Sequence, residues 1–143
     1  MCNRDRRSVL RALTGLAAAL LGGRHAAAAP ARRERRFVAE AFRMKADAER
    51  AGDQPYGAVV VRGGEIVGWG PSRVVAKKDW TAHAEREAIR DAEARLKSAA
   101  LTGCVLYSTS RPCSNCERAA AAAKIERMFH GADAIDAGRP RSL

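Results

Sequence analysis

An α/β fold, with a mixed sheet of four to five strands and helices on both faces, is what this 143-residue chain predicts. Segments of helical period and short apolar runs follow one another in the order α-β-β-α-β-α-β, an order that implies a mixed sheet with helices packed on its faces. Two of the runs are joined by Arg62-Gly63-Gly64-Glu65, a tight hairpin turn. The length suits one core, and no internal repeat or second domain is visible.

Each element has its own signal. Phe37, Ala41, Met44 and Ala48 recur at helical spacing, as do Val38 and Phe42, which predicts a helix from about Arg35 to Ala51. Gly52-Asp53 ends it. Pro55-Tyr56-Gly57-Ala58-Val59-Val60-Val61 reads as a buried strand, and Glu65-Ile66-Val67-Gly68-Trp69 as its return across the hairpin. A loop from Gly70 to Asp79 leads into a helix that starts at His83 and runs towards Arg95, with Ala88 and Ile89 inward. Cys104-Val105-Leu106-Tyr107-Ser108-Thr109 is a third strand. A helix follows through Glu117 to Lys124, a strongly helix-forming run, and Ile125 to Phe129 is a fourth strand. Two helix starts, at His83 and Cys113, then converge at one end of the sheet, where ligands collect in open α/β sheets.

Those two starts carry the chemistry. Thr81-Ala82-His83-Ala84-Glu85 and Arg111-Pro112-Cys113-Ser114-Asn115-Cys116 together supply one imidazole, two thiols and a carboxylate. Cys113 and Cys116, three apart, share one face of a helix and can grip one ion. The helix dipole there favours thiolate over thiol. Three N/S ligands leave the fourth tetrahedral position of a zinc ion open to water, the composition of a catalytic rather than a structural site. Zinc lowers the pKa of such a water from about 15.7 towards roughly 7. Glu85 lies two positions from His83, about 200° around a helix, off the ligand's face and suited to carrying protons. Taken alone, Cys-x-x-Cys also reads as a redox pair or as half of a structural zinc site. Cys104 reads as core, His25 as part of a leader, and His130 as a spare ligand that the pattern does not need.

The His-x-Glu then Pro-Cys-x-x-Cys order resembles that of the zinc deaminases of nucleobases. The chain is similar to the cytidine and deoxycytidylate deaminase-like superfamily, nearest to its guanine deaminase and tRNA adenosine deaminase branches. The resemblance covers roughly Arg35 to Gly131. It implies the three-layer cytidine-deaminase-like fold, Zn2+ held by His83, Cys113 and Cys116, and Glu85 as the catalytic proton carrier. Pro55-Tyr56-Gly57-Ala58 resembles the Pro-Phe-Gly-Ala segment that backs the family's pocket, so Ala58 enters as a substrate contact. The family's base-reading Asn falls at Ser72, seven positions before Asp79, where a hydroxyl replaces an amide that both donates and accepts. Relatives also carry Glu before Pro-Cys where this chain has Arg111, a charge reversal beside the site. Larger residues in relatives stand where Ala119 to Ala123 fill the metal helix. That helix forms part of a dimer interface in many relatives, and a four-stranded sheet would leave an edge wanting cover. A homodimer is therefore among the expectations, with the oligomeric state left open.

The N-terminus reads as a targeting segment. Arg6-Arg7-Ser8-Val9-Leu10-Arg11 resembles the twin-arginine export motif; an apolar stretch from Ala12 to Gly23 and small residues at Ala26 to Ala29 follow. The stretch is shorter than the roughly twenty residues a spanning helix needs, so no stable membrane anchor is expected. Residues 1–29 are thus expected to be a removed signal peptide, and 30–143 a zinc-dependent deaminase domain acting in the periplasm. Five Arg and one Asp, a net +4, lie in residues 1–29, leaving +6 of the chain's +10. Much of that clusters at Arg32, Arg33, Arg35 and Arg36, a solvated arm. Aromatic residues make up only 5% of the chain without basic interleaving, so no nucleic-acid groove is expected.

The expected function is hydrolytic deamination of a small amino-substituted nucleobase or nucleoside, guanine-type or cytosine-type. Editing of adenosine in tRNA is the first alternative. The second is a noncatalytic zinc-stabilised binding module on the same fold, for which the Glu85 carboxylate would have no use.

Overall fold

The computed structural model describes residues 32–142; the leader expected over residues 1–29 lies outside the described residues, and His25 with it. Helix α1 spans Arg32–Arg50 and is followed by β1 (Gly57–Arg62) and β2 (Glu65–Pro71), then α2 (Val74–Lys77) and α3 (Ala84–Leu96). Strand β3 (Cys104–Ser108), helix α4 (Ser114–Ala122) and strands β4 (Arg127–His130) and β5 (Ile135–Gly138) complete the described residues. The strands form one mixed sheet in the order β2-β1-β3-β4-β5. Only the β3–β4 pair, joined through α4, is parallel; the others are antiparallel.

Period-two alternation in β1 builds the layers. Val59 and Val61 point to α1, where Phe37, Val38, Ala41 and Met44 close one core with Tyr107. Ala58 and Val60 point the other way, to Ala84, Ala88, Ile89 and Ala92 of α3 and Ala120 of α4. Every β1 residue before Arg62 is buried, as a central strand covered on both faces must be. Cys104 is fully buried core, as its apolar run implied.

Tight apposition on the second face needs glycine. A Cβ at Gly70 would fall under 3.0 Å from the Ala84 carbonyl, and one at Gly68 under 3.0 Å from the Ala88 carbonyl. The small side chains of Ala84, Ala88 and Ala92 match them, so α3 lies directly on the β2 backbone.

Several boundaries differ from the sequence expectation. α1 begins at Arg32 rather than Arg35, and β1 begins at Gly57, after Pro55, which has no N–H to donate. The Gly70–Asp79 segment contains a helical turn, α2. Its own N-cap, Arg73, offers no side-chain cap; instead the Asp53 carboxylate accepts from the N–H groups of Val75 (3.0 Å) and Ala76 (2.9 Å). Local sequence carries no cap for this turn because the cap arrives from twenty residues upstream. Ile125 ends α4 instead of opening a strand: its N–H bonds the Ala120 carbonyl at 3.0 Å, and Lys124 adopts a left-handed φ of 61°. The fifth strand, β5, pairs with β4 and is held by the Arg127–Asp136 ion pair. Among the described residues no helix is long and apolar enough to cross a membrane.

Candidate metal centre and cleft

Both helix starts expected to converge do so, through caps rather than helical faces. His83 is the N-cap of α3 and Cys113 the N-cap of α4, each with extended backbone. Helix α3 therefore begins one residue after His83, and Cys113 stands outside the helix on which it was expected to share a face with Cys116. The Cys113 sulfur accepts the Cys116 N–H at 3.4 Å, so the thiol itself fills the capping role. Cys116, in the first turn of α4, is brought back beside it.

His83 Nδ1 lies 3.6 Å from Cys113 Sγ and 3.4 Å from Cys116 Sγ. A tetrahedral zinc with bonds of about 2.3 Å to sulfur and about 2.0 Å to nitrogen spaces those atoms by roughly 3.5 Å. The three donors lie within 4.8 Å of one another, and among the described residues no fourth His, Cys, Asp or Glu joins them. Both thiols are free rather than disulfide-bonded. The donor set fits Zn2+ with a position left for a non-protein ligand.

Glu85, the second residue of α3, is only 6% exposed. Burial pushes its carboxyl above the usual range, against its own backbone N–H, a hydrogen bond with Cys116 and the nearby His83. Burial likewise pushes the Cys116 thiol up, helped by the Glu85 carboxylate. A bound cation reverses that balance by ionising the thiol.

His83, Glu85 and Cys113 line a cleft of about 300 Å³ with Gln54, Tyr56, Ser110 and Arg111. The end of β3 is latched to the start of β1 by Gly57 N–H to Thr109 Oγ1 (3.1 Å) and Thr109 N–H to the Gly57 carbonyl (2.9 Å). The Ser108 hydroxyl donates to the Ser110 carbonyl. These bonds fix Ser110 and Arg111 across from Gln54 and Tyr56. A larger cavity, about 630 Å³, opens between α3 and α4, lined by alanines and by Arg86, Arg90 and Arg118. It holds none of the metal-binding residues, and the chemistry assigns the site to the smaller cleft.

Ala58 is fully buried in β1, facing Ala84 and Ala88. Ser72 is buried too, its hydroxyl donating to Asp53 at 3.1 Å. Neither lines the cleft. His130 is half-buried on β4, paired with Ser108 and outside the donor group. Burial and the Arg111 charge hold its imidazole below the usual value. Gln54 and Ser110 escaped sequence reasoning; the one signal available was adjacency, to the Pro55–Ala58 segment and to Arg111.

The family model for the cytidine and deoxycytidylate deaminase zinc-binding region matches residues 31–132. The tRNA-specific adenosine deaminase of Aquifex aeolicus is 40% identical over 67% of this chain and 64% of its own length. The guanine deaminase of Bacillus subtilis is 36% identical over 71% of this chain and 65% of its own. A tRNA(Ile)-lysidine synthase of Deinococcus deserti is 43% identical, but the match spans 19% of that protein. The chain thus spans just under two thirds of the two deaminase relatives and a fifth of the synthase. Among solved structures, the Bacillus subtilis guanine deaminase superposes with a TM-score of 0.65 at 36% identity, covering 68% of this chain and 62% of the other. A structure from work on A-to-I editing by tRNA:A34 deaminases gives 0.65 at 34% identity, covering 67% and 70%.

Proposed function

The chain belongs to the cytidine and deoxycytidylate deaminase zinc-binding family, and from that premise we propose that it is a zinc-dependent hydrolase deaminating a small amino-substituted nucleobase or nucleoside. The observation that carries this reading is a buried carboxylate, Glu85, lining the same cleft as His83 and Cys113, with Cys116 completing the donor group. A merely structural zinc site gains nothing from burying Glu85 there.

His83, Cys113 and Cys116 would hold the ion, which when bound supplies an activated water and a Lewis acid. The net reaction replaces the exocyclic amine by oxygen, consuming one water and releasing ammonia. Glu85 accepts the water's proton, returns it to the ring nitrogen as the base is attacked, and then serves the departing ammonia. Its burial raises its proton affinity, the direction that a group accepting and returning a proton needs. Tyr56 and Gln54 form the opposite wall and limit the width of a ring that enters.

The test is a zinc-quantified screen of guanine, cytosine, adenine and their nucleosides for ammonia release. Glu85→Ala is expected to keep its zinc and release no ammonia, whereas Cys113→Ala loses metal and stability together. Ammonia at wild-type rate from Glu85→Ala overturns the assignment. A second reading, adenosine editing in tRNA, is favoured by the 40% identity to a tRNA-specific adenosine deaminase; salt-sensitive binding of a tRNA anticodon stem-loop would select it.

Two further parts of the proposal concern context. Residues 1–29 are read as a twin-arginine-type leader that takes the domain to the periplasm, supported by Arg6-Arg7 and the apolar stretch behind them. That route carries folded chains and so protects Cys113 and Cys116 as metal ligands; fractionation of the tagged full chain tests it. The α3–α4 groove is read as a homodimer contact, supported by the buried Arg86 Nε at its wall, which has no hydrogen-bond partner among the described residues. Sedimentation at micromolar concentration tests that.

A further inference from the structure

A planar base is told from its competitors by its edge, where hydrogen-bond donors and acceptors stand side by side in the plane of the ring. Beyond the metal donors and Glu85, the cleft is lined by Gln54, Tyr56, Ser110 and Arg111. Tyr56 and Ser110 each bring a single hydroxyl, and the Arg111 guanidinium brings donors alone. Of these four, Gln54 is the side chain that holds an acceptor and a pair of donors in one rigid plane, the shape of group that pairs with a base edge at two points.

Its backbone is fixed and its amide is not spoken for. The Gln54 N–H donates to Asp53 Oδ1 at 2.8 Å, and its carbonyl accepts from the Tyr56 N–H at 2.8 Å. The half-buried side-chain amide has no hydrogen-bond partner among the described residues. On its other flank Gln54 borders a pocket of about 320 Å³ formed with Val74, Val75, Lys78 and Trp80, where three apolar side chains offer the amide no rival bond. Ser72, the position that the family resemblance put forward for reading the base, is only 2% exposed. Its hydroxyl donates at 3.1 Å to the same Asp53 oxygen that takes the Gln54 N–H. The hydroxyl is thus turned from the cleft and braces the turn that presents Gln54 to it.

We infer that Gln54 is the specificity-determining residue of the cleft, its carboxamide pairing at two points with a donor–acceptor edge of the base whose amine faces the metal donors. Asp53 and Ser72 act through it as positioning residues. The inference rests on the deaminase reading and assigns its base recognition to the turn between α1 and β1 rather than to the Ser72 segment.

The experiment measures kcat/KM for ammonia release from guanine, cytosine, adenine and their nucleosides with the zinc-loaded full chain, and follows the ratio between the preferred base and the next. Gln54→Leu, similar in size but without polar atoms, is expected to keep its zinc and its melting temperature while that ratio falls by about ten- to a hundredfold, the discrimination of one paired carboxamide. Gln54→Asn retains part of the ratio. Ser72→Ala lowers the melting temperature and leaves the ratio in place. Calorimetric binding of the same bases in a Glu85→Ala background, which needs no turnover, should weaken for the preferred base by a comparable factor when Gln54→Leu is added. Equal use of the bases by the parent chain, a loss in Gln54→Leu that is uniform across them, or a ratio that moves with Ser72→Ala instead overturns the inference while leaving deamination intact. Base binding that depends on Gln54 with no ammonia from any substrate defeats the deaminase reading and keeps the base-reading role. No ammonia and no Gln54-dependent binding defeats both.

Discussion

Asp53 is the residue on which the least visible part of the site hangs. One carboxylate oxygen accepts from the Gln54 N–H (2.8 Å) and the Ser72 hydroxyl, the other from the first turn of α2. Desolvation works against its charge, but the N–H groups of Ala76, Gln54 and Val75 and the Ser72 hydroxyl outweigh it and hold the carboxyl below its ordinary value. A depressed pKa means that this contribution is complete above about pH 4, where the unfolded chain is also ionised, and is lost as pH falls through the lowered folded value. Asp53→Ala should therefore cost about 1 kcal/mol at neutral pH, the usual worth of a helix cap. The gap to the parent chain should close in acid. Thermal unfolding of both chains between pH 7 and 2 measures it, and a gap that widens in acid contradicts the assignment. The residues with strong chemical identity, His83, Glu85, Cys113 and Cys116, were legible through the resemblance their order bears to the zinc deaminases, and His83, Cys113 and Cys116 do come together. Asp53, Gln54 and Ser110 were not, because their roles come from backbone hydrogen bonds and from positions across a turn, which no residue type announces. Ser72 shows the limit from the other side: matching its position to a family's Asn located it in the chain, while its hydroxyl is turned to Asp53.

At the scale of elements, the approach of α3 to β2 determines where the His83 imidazole stands. Gly70 faces the Ala84 carbonyl, one residue after His83, with no room for a Cβ. Gly70→Val should lift the start of α3 off the sheet, with a stability cost of roughly 1–3 kcal/mol from overpacking and zinc retained less well under a chelator challenge. Loss of stability with undiminished zinc retention would mean that the α3 start is placed by something else. The α2 turn is clamped at its other end by Lys77, 2.6 Å from Glu87 of α3, which also meets Arg90 at 2.5 Å. Long apolar periodicities made α1, β1, α3 and β3 readable in the sequence, since burial on a defined face leaves a repeating trace. The short elements left none. α2 is four residues capped from a distance, and β5 is four residues with Ile135 exposed, stabilised by the Arg127–Asp136 pair rather than by an apolar run.

For the molecule as a whole, a five-stranded sheet with α1 on one side and α3 and α4 on the other delivers two helix starts to one cleft. The caps of those helices are themselves metal donors, so metal binding is coupled to the seating of both helix starts. Without a cation the Cys116 thiol is held protonated by burial and by Glu85. Loading must therefore expel a proton, and apparent zinc affinity should fall as pH is lowered; a competition titration with a chromogenic chelator at pH 6, 7 and 8 reads the trend. A flat affinity across that range contradicts it. Zinc-edge X-ray absorption on the purified chain reads the ligand set itself. Two sulfurs at about 2.3 Å and two nitrogen or oxygen neighbours near 2.0–2.1 Å, one of them not from the protein, are expected in the parent and in Glu85→Ala alike. A shell of three or four sulfurs, or a zinc-free chain with Cys113 and Cys116 oxidised to a disulfide, would contradict it.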